Sequence, residues 1–489
     1  MFSLKSKLSF FAKKDGCPVK FGEYLEECIK KRGVPVGTVA TQIGINRGNL
    51  YSVFGGKRKL SEDDLYKIVS LLALSNSETE TLFDKFFELE YGKREFKRVK
   101  YIFNAVNNMP DCFEAEKPVI KPVPDLKNFT GQDGIAAAAS YIIENGKGEI
   151  SSNYPFTMKN LDDLFFYCVR KKGLKFRHLV PVMFDSKETE DLENLFSCVR
   201  FMYEKCCPYL IEVPSFRNHV LVYTYFIADE KYVMVFDENG GTVVESESFA
   251  ASFGERINKL FFEKAEQVGV VPGDILEVKD IYAKSFVTEE AFRYVFSPYP
   301  CVAPYGDREF FSSIAVDGMP PDVKNELVNI CYDHYQRLFE RANITQLITD
   351  DAVDKLIERR VISELPDAYV KLADEEHILK ILERTLQDVK RGNIKIIDSS
   401  CLHVSNNLFV ELNPVYFSMA GTDHTKENFT VPESFYALIK NKGICLSVRN
   451  FFDYLLRSKK VLPDEVAVGY LENRIVQVRS RIENKKKPL

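Results

Sequence analysis

From Thr38 to Lys59 the chain reads TVATQIGINRGNLYSVFGGKRK, and this stretch leaves little choice of local fold. Val36, Val39, Ala40 and Ile43 recur at the spacing of one helix face, and Leu50 and Val53 do the same after a short break. Gly44 ends the first helix where a tight turn needs a backbone that accepts positive φ, and Ala40 is small enough for a close helix crossing. Asn46 caps the second helix. The spacing predicts two short helices at a tight turn. Arg47, Asn49, Tyr51 and Ser52 then point outward or flank the buried face.

The flanks extend this into a small all-α module. Phe21, Tyr24, Leu25, Cys28 and Ile29 form one helix face, stopped at Gly33. Ser61 precedes a helix carrying Leu65, Ile68, Val69 and Leu72, with acidic residues 62 to 64 in its first turn, where the helix dipole favours them. Ser77 with Glu80 has capping-box spacing before Leu82, Phe83, Phe86, Phe87 and Tyr91.

Charge distinguishes this end from the rest. Residues 1–100 carry 19 Lys+Arg against 13 Asp+Glu, whereas the whole chain is at −5. No Asp or Glu occurs between Gly44 and Ser61, and Lys57, Arg58 and Lys59 crowd the turn after the second helix. Such cations neutralise phosphates, whereas discrimination requires side chains at base edges. Arg47 can donate bidentately to guanine, and Asn49 or Ser52 can offer shorter hydrogen bonds.

Residues 21–90 resemble the Cro and phage-repressor type helix-turn-helix domain of the XRE family. The resemblance rests on the Leu25 helix, Val39-Ala40, Gly44-Ile45, Asn46, Leu50, Val53, the Gly56-Lys57 turn and the Leu65–Leu72 helix. It implies a lambda-repressor-like fold that binds operator DNA as a dimer, with its third helix in the major groove. Gly48 departs from the family, which often has a polar reader there.

The expected domains are a DNA-binding domain over 15–92, a basic, proline-containing linker over 93–127, an α+β module over 128–310, and a helical and α+β module over 311–489. The last repeats the element order of the third, with ordinary alternation as the rival reading. In the body, helices are expected over 163–172, 188–205, 249–267, 322–341, 349–360, 374–390 and 448–458. Strands are expected at PYLIEV, HVLVYTYFIA, KYVMVFD, NIKIID, NLFVELN and VYFSMAG. The fold class is therefore multidomain, an all-α N-terminal domain followed by a larger α+β region.

The remainder carries no legible reaction chemistry. The six histidines are scattered, with no HExxH and no zinc spacing with the eleven cysteines. Phosphate loops, dinucleotide turns and nucleophile elbows are absent from the sequence. Cys331 with Asp333-His334 is the nearest approach to a nucleophile arrangement. Asp162-Asp163 and Glu375-Glu376 sit near helix starts, where the helix dipole explains them. No catalytic residue, cofactor or metal is expected. With neither a membrane-length apolar run nor a signal-peptide pattern, a cytoplasmic protein is expected.

The function expected from these features is a sequence-specific transcriptional regulator that is not an enzyme. It binds double-stranded DNA as a homodimer through Arg47, Asn49, Tyr51, Ser52, Lys57, Arg58 and Lys59. Its acidic body supplies dimer contacts and/or senses a small-molecule or protein signal. The rivals are a DNA-associated enzyme or defence effector, whose active site is scattered through the body, and a protein-interaction scaffold.

Overall fold

The structure, a computed structural model, describes residues 20–110, 113–123, 125–183, 189–204, 206, 208–213, 225–270, 292–300, 307–341, 343–360, 370–405, 408–422 and 434–486. The first five residues of the expected DNA-binding domain, the first six of HVLVYTYFIA, and His219 and His424 lie outside these. The chain separates into two compact units, Met1–Phe96 and Lys97–Leu489. Among the described residues no helix is long and apolar enough to cross a membrane.

The first unit contains α1 (Phe21–Lys31), α2 (Val36–Ile43), α3 (Arg47–Phe54), α4 (Glu62–Leu72) and α5 (Asn76–Tyr91). Leu25 and Ile29 of α1, Val39 of α2, Leu50 of α3, Leu65 and Ile68 of α4, and Leu82 and Phe87 of α5 are wholly buried. Each such side chain contributes about 1.5–3 kcal/mol relative to exposure. The capping box of α5 is Ser75 with Glu78, two residues before the expected Ser77–Glu80 pair. The Ser75 hydroxyl accepts from the Glu78 N–H at 3.2 Å, and the Glu78 carboxylate accepts from the Ser75 N–H at 3.0 Å. The earlier start puts Thr79, buried like Leu82 and Phe83, on the core face. Glu78 also receives Lys31 at 3.0 Å and Arg32 at 2.5 Å, fastening the end of α1 to the start of α5.

The expected linker begins instead as a helix, α6 (Lys93–Asn107). Its basic residues hide an apolar stripe of Val99, Ile102, Phe103 and Val106, all buried. The boundary between the two units falls inside this helix.

The second unit holds two mixed sheets. In chain order come β1 (Asn128–Thr130), α7 (Gly131–Asn145), β2 (Ile150–Ser152), α8 (Lys159–Lys172), β3 (Phe176–Met183), α9 (Glu190–Ser197), α10 (Val199–Met202), β4 (Pro208–Val213), β5 (Tyr225–Ala228), β6 (Tyr232–Phe236), β7 (Gly240–Glu245), α11 (Glu247–Lys259) and β8 (Glu266–Gln267). The second sheet adds β9 (Gly269–Val270), β10 (Arg293–Phe296), α12 (Arg308–Ile314), α13 (Pro321–Arg341), β11 (Ile344–Thr349), α14 (Asp350–Arg359), α15 (Glu375–Arg391), β12 (Ile394–Ile397), β13 (Leu408–Leu412), β14 (Phe417–Thr422), β15 (Ser434–Ile439), α16 (Lys442–Arg457) and α17 (Asp464–Lys486).

Their strand orders are β1-β7-β6-β5-β2-β3-β4-β8 and β12-β11-β10-β13-β14-β15-β9. Without the short strands β1, β8 and β9 the two are one topology. Three strands run parallel through helical crossovers, β2-β3-β4 and β10-β11-β12. The chain then returns beside the first of them as an antiparallel meander, β5-β6-β7 and β13-β14-β15. A helix follows each meander, α11 and α16. The second sheet thus starts at β9 and β10, inside the stretch 128–310 that the sequence assigns to the first module; two- and four-residue strands are too short to show a period.

Residues 266–270 join the sheets. β8 pairs with β4 and β9 with β15, while the Val268 N–H donates to Pro208 O at 2.9 Å and Val268 O accepts from the Leu438 N–H at 2.8 Å.

Candidate nucleic-acid interface

Three residues, Gly44 to Asn46, separate α2 from α3. Gly44 has φ of 80°, where a side chain would be strained, and the Ile45 N–H returns to Ala40 O at 2.9 Å. The Asn46 side chain accepts the Gly48 N–H at 2.7 Å and caps α3. Leu50, Val53 and Phe54 anchor the helix in the core. Its C-terminal turn also lies against Gly22, where a Cβ would fall 2.4 Å from the carbonyl oxygens of Val53 and Phe54.

The seven expected contact residues do not behave alike. Arg47 is exposed and Tyr51 is 45% exposed. The Arg47 Nη2 donates to the Tyr51 hydroxyl at 3.2 Å, and its guanidinium carbon lies 5.5 Å from the Tyr51 ring centroid. Phe54 supports the same ring edge-on at 5.7 Å. The Ser52 hydroxyl instead donates to Gly48 O at 2.9 Å, and Asn49 is half-buried. The outward face of α3 is therefore narrow.

Beyond α3 the chain turns through Gly55 and Gly56 onto Lys57, Arg58 and Lys59, all exposed. Both the Lys57 and Arg58 N–H groups donate to Ser52 O, at 2.8 and 3.2 Å, so the base of the turn is fixed to the helix it follows.

Among the described residues of the body, the polar groups singled out by the sequence are buried or held in ion pairs. Cys331 is wholly buried, and the side chains of Asp333 and His334 lie outside the described residues. Glu375 accepts from Arg360 and Lys485, and Asp163 from Arg200, as structural ion pairs. His178 is buried between Phe156 and Phe176, and its Nε2 lies 3.0 Å from the Asn194 side-chain oxygen. Burial pushes the His178 pKa down to about 4 and that of Asp162 up to about 7. Among the described residues no group of three or more His, Cys, Asp or Glu could hold a metal ion. The sequence offered no signal for the His178–Asn194 contact, whose partners lie on different elements.

No family profile matches the chain, and no curated protein matches it. Among solved structures it is similar to the crystal structure of phosphatidylserine synthase from Haemophilus influenzae Rd KW20. That likeness has 11% identity and a TM-score of 0.25, covering 80% of this chain and 98% of the other. The expected sequence-specific transcriptional regulator is corrected and withdrawn as a reading of this chain. The narrow face of α3 is a physical reason to withdraw the same expectation. At this TM-score the likeness transfers no chemistry, and lipid synthesis is not ascribed to this chain.

Proposed function

We propose that the chain is a DNA-associated effector, in which an XRE-type helix-turn-helix docks the protein on duplex DNA and the α+β body carries the effector function. The observation that carries this reading is the run of three exposed cations at Lys57, Arg58 and Lys59, on a turn hydrogen-bonded to the end of α3. Phosphates lie along every duplex, so docking of this kind is largely independent of sequence. The acidic remainder of the chain favours holding the body off the DNA.

Fluorescence anisotropy of the full chain on unrelated duplexes, at rising salt, tests the reading. Affinity is expected to fall with salt on every duplex, and the triple variant K57A/R58A/K59A to show a shallower slope, by about 0.9 for each phosphate that is no longer neutralised. Salt-independent binding, or a triple variant that binds as the parent does, overturns it.

A further inference from the structure

Helix α17 has two faces of opposite character. Ala467, Leu471, Ile475 and Val478 are buried in the core of the second sheet. Ion pairs fasten the helix over them, Lys395–Asp464 and Lys390–Glu472 at 3.0 Å, Arg474–Asp354 and Arg479–Glu383 at 2.6 Å. The outward face is thereby fixed in place, and no charge stands along its middle. Val466, Gly469, Asn473, Val476 and Ser480 follow one another at alternating steps of three and four residues, the seam spacing of a helix pair. Val466 is 53% and Val476 59% exposed, Asn473 and Ser480 are exposed, and a Cβ at Gly469 would meet nothing within 4 Å. Charge is segregated about Asn473. Residues 464–472 contain Asp464, Glu465 and Glu472 and no Lys or Arg, whereas residues 474–485 contain Arg474, Arg479, Arg481 and Lys485 against Glu483 alone. Such a helix complements a copy of itself running the other way.

We propose that this seam is a self-association surface, and that its partner is the α17 of a second copy of the chain, packed antiparallel about a two-fold axis. Interleaving the seams places Asn473 beside Val476 of the second copy and Gly469 beside its Ser480, where the small residues let the two backbones approach. In that register Glu472 flanks the seam opposite Arg479 of the second copy, and the two-fold axis repeats the pair. A parallel pair sets Glu472 against Gln477 and gains no ion pair, so the charges select the antiparallel arrangement. The inference goes beyond the DNA-docking reading and does not depend on it.

Sedimentation velocity of the full chain over a range of concentrations tests this. A pair of single helices is a small interface, below the roughly 1,200–2,000 Å² that stable complexes bury, so the parent is expected to pass from monomer to dimer as concentration rises. Glu472→Lys and Arg479→Glu each set like charges across the two-fold axis, and each is expected to weaken the dimer by about tenfold or more. An equimolar mixture of these two variants is expected to regain the dimer, because each supplies the charge that the other lacks. Mixing cannot repair the contacts to Lys390 or Glu383 within one chain, so it separates the interface from an effect on folding. Val476→Asp, at an exposed position, is expected to leave the circular dichroism unchanged and to give a monomer. A parent that stays monomeric at every concentration, or a dimer unaffected by Val476→Asp, overturns the surface. Charge variants that dimerise as the parent does, or a mixture that regains nothing, overturn the antiparallel pairing.

Discussion

Arg98 and Asp191 face each other in the interior of the second unit, joined by two hydrogen bonds of 2.6 and 2.9 Å. The third edge of the guanidinium donates from Nε to Ser447 at 2.7 Å. One arginine of α6 thereby ties α9, beside the first sheet, to α16, beside the second. Breaking a buried pair leaves an uncompensated charge, so Asp191→Ala is expected to destabilise the second unit by about 3–5 kcal/mol in urea denaturation. The double variant R98L/D191L, with neither charge, should be destabilised less than either single change. A double effect equal to the sum of the singles would show that the pair is not coupled.

Gly22 sets how closely α1 approaches the end of α3. Gly22→Ala would place a methyl group against two backbone carbonyls at 2.4 Å. The expected cost is about 1–3 kcal/mol in the first unit. Faster hydrogen exchange in α1 and α3, with the sheets unaffected, is the outcome to look for.

Glu78 binds Lys31, Arg32 and the Ser75 N–H. The backbone hydrogen bond of Ser75, followed by the Lys31 ion pair, lowers its pKa to about 2 from 4.5. A depressed carboxylate stabilises the fold above its unfolded pKa, and that contribution disappears as pH falls from about 4.5 to 2. Protection of α1 and α5 amides, relative to their intrinsic exchange rates, should fall as pH is lowered across this window in the parent. Glu78→Gln should accelerate exchange at neutral pH and flatten the dependence. A parent profile flat between these pH values would contradict the assignment.

Asp162 and His178 work in opposite directions in the body. The Asp162 pKa is raised from 3.8 to about 7, so its contribution is present below 3.8 and lost as pH rises to about 7. The His178 pKa is lowered from 6.5 to about 4, so its contribution is present above 6.5 and lost as pH falls to about 4. Asp162→Asn should therefore be more stable relative to the parent at pH 8 than at pH 4 in urea titrations. An equal difference at both values would rule out the buried, protonated Asp162.

The N-terminal helices were legible because each carries a regular apolar face and a punctuating residue, such as Gly44 or Asn46. Strand β4 coincides with PYLIEV, a compact β-branched run between clear breaks. Helix α7 was not legible, since the alanines of GIAAAASYII blur its period. Helix α17 also escaped, because Val466 and Val476 are exposed opposite the buried Ala467, Leu471, Ile475 and Val478. At the candidate interface, the spacing of Arg47 and Tyr51 places them on one helix face. The bond of the Ser52 hydroxyl back to Gly48 O had no such signature. Arg98 and Asp191 stand 93 residues apart, so only the folded chain brings them together.

Residues 266–270 have a consequence for misfolding. The segment covers part of the outer edge of β4 with β8 and part of the outer edge of β15 with β9. A bare strand edge is a template for pairing with another molecule. Detaching these five residues uncovers two such edges at once, one on each sheet, so a local opening too small to unfold either sheet exposes both to self-association.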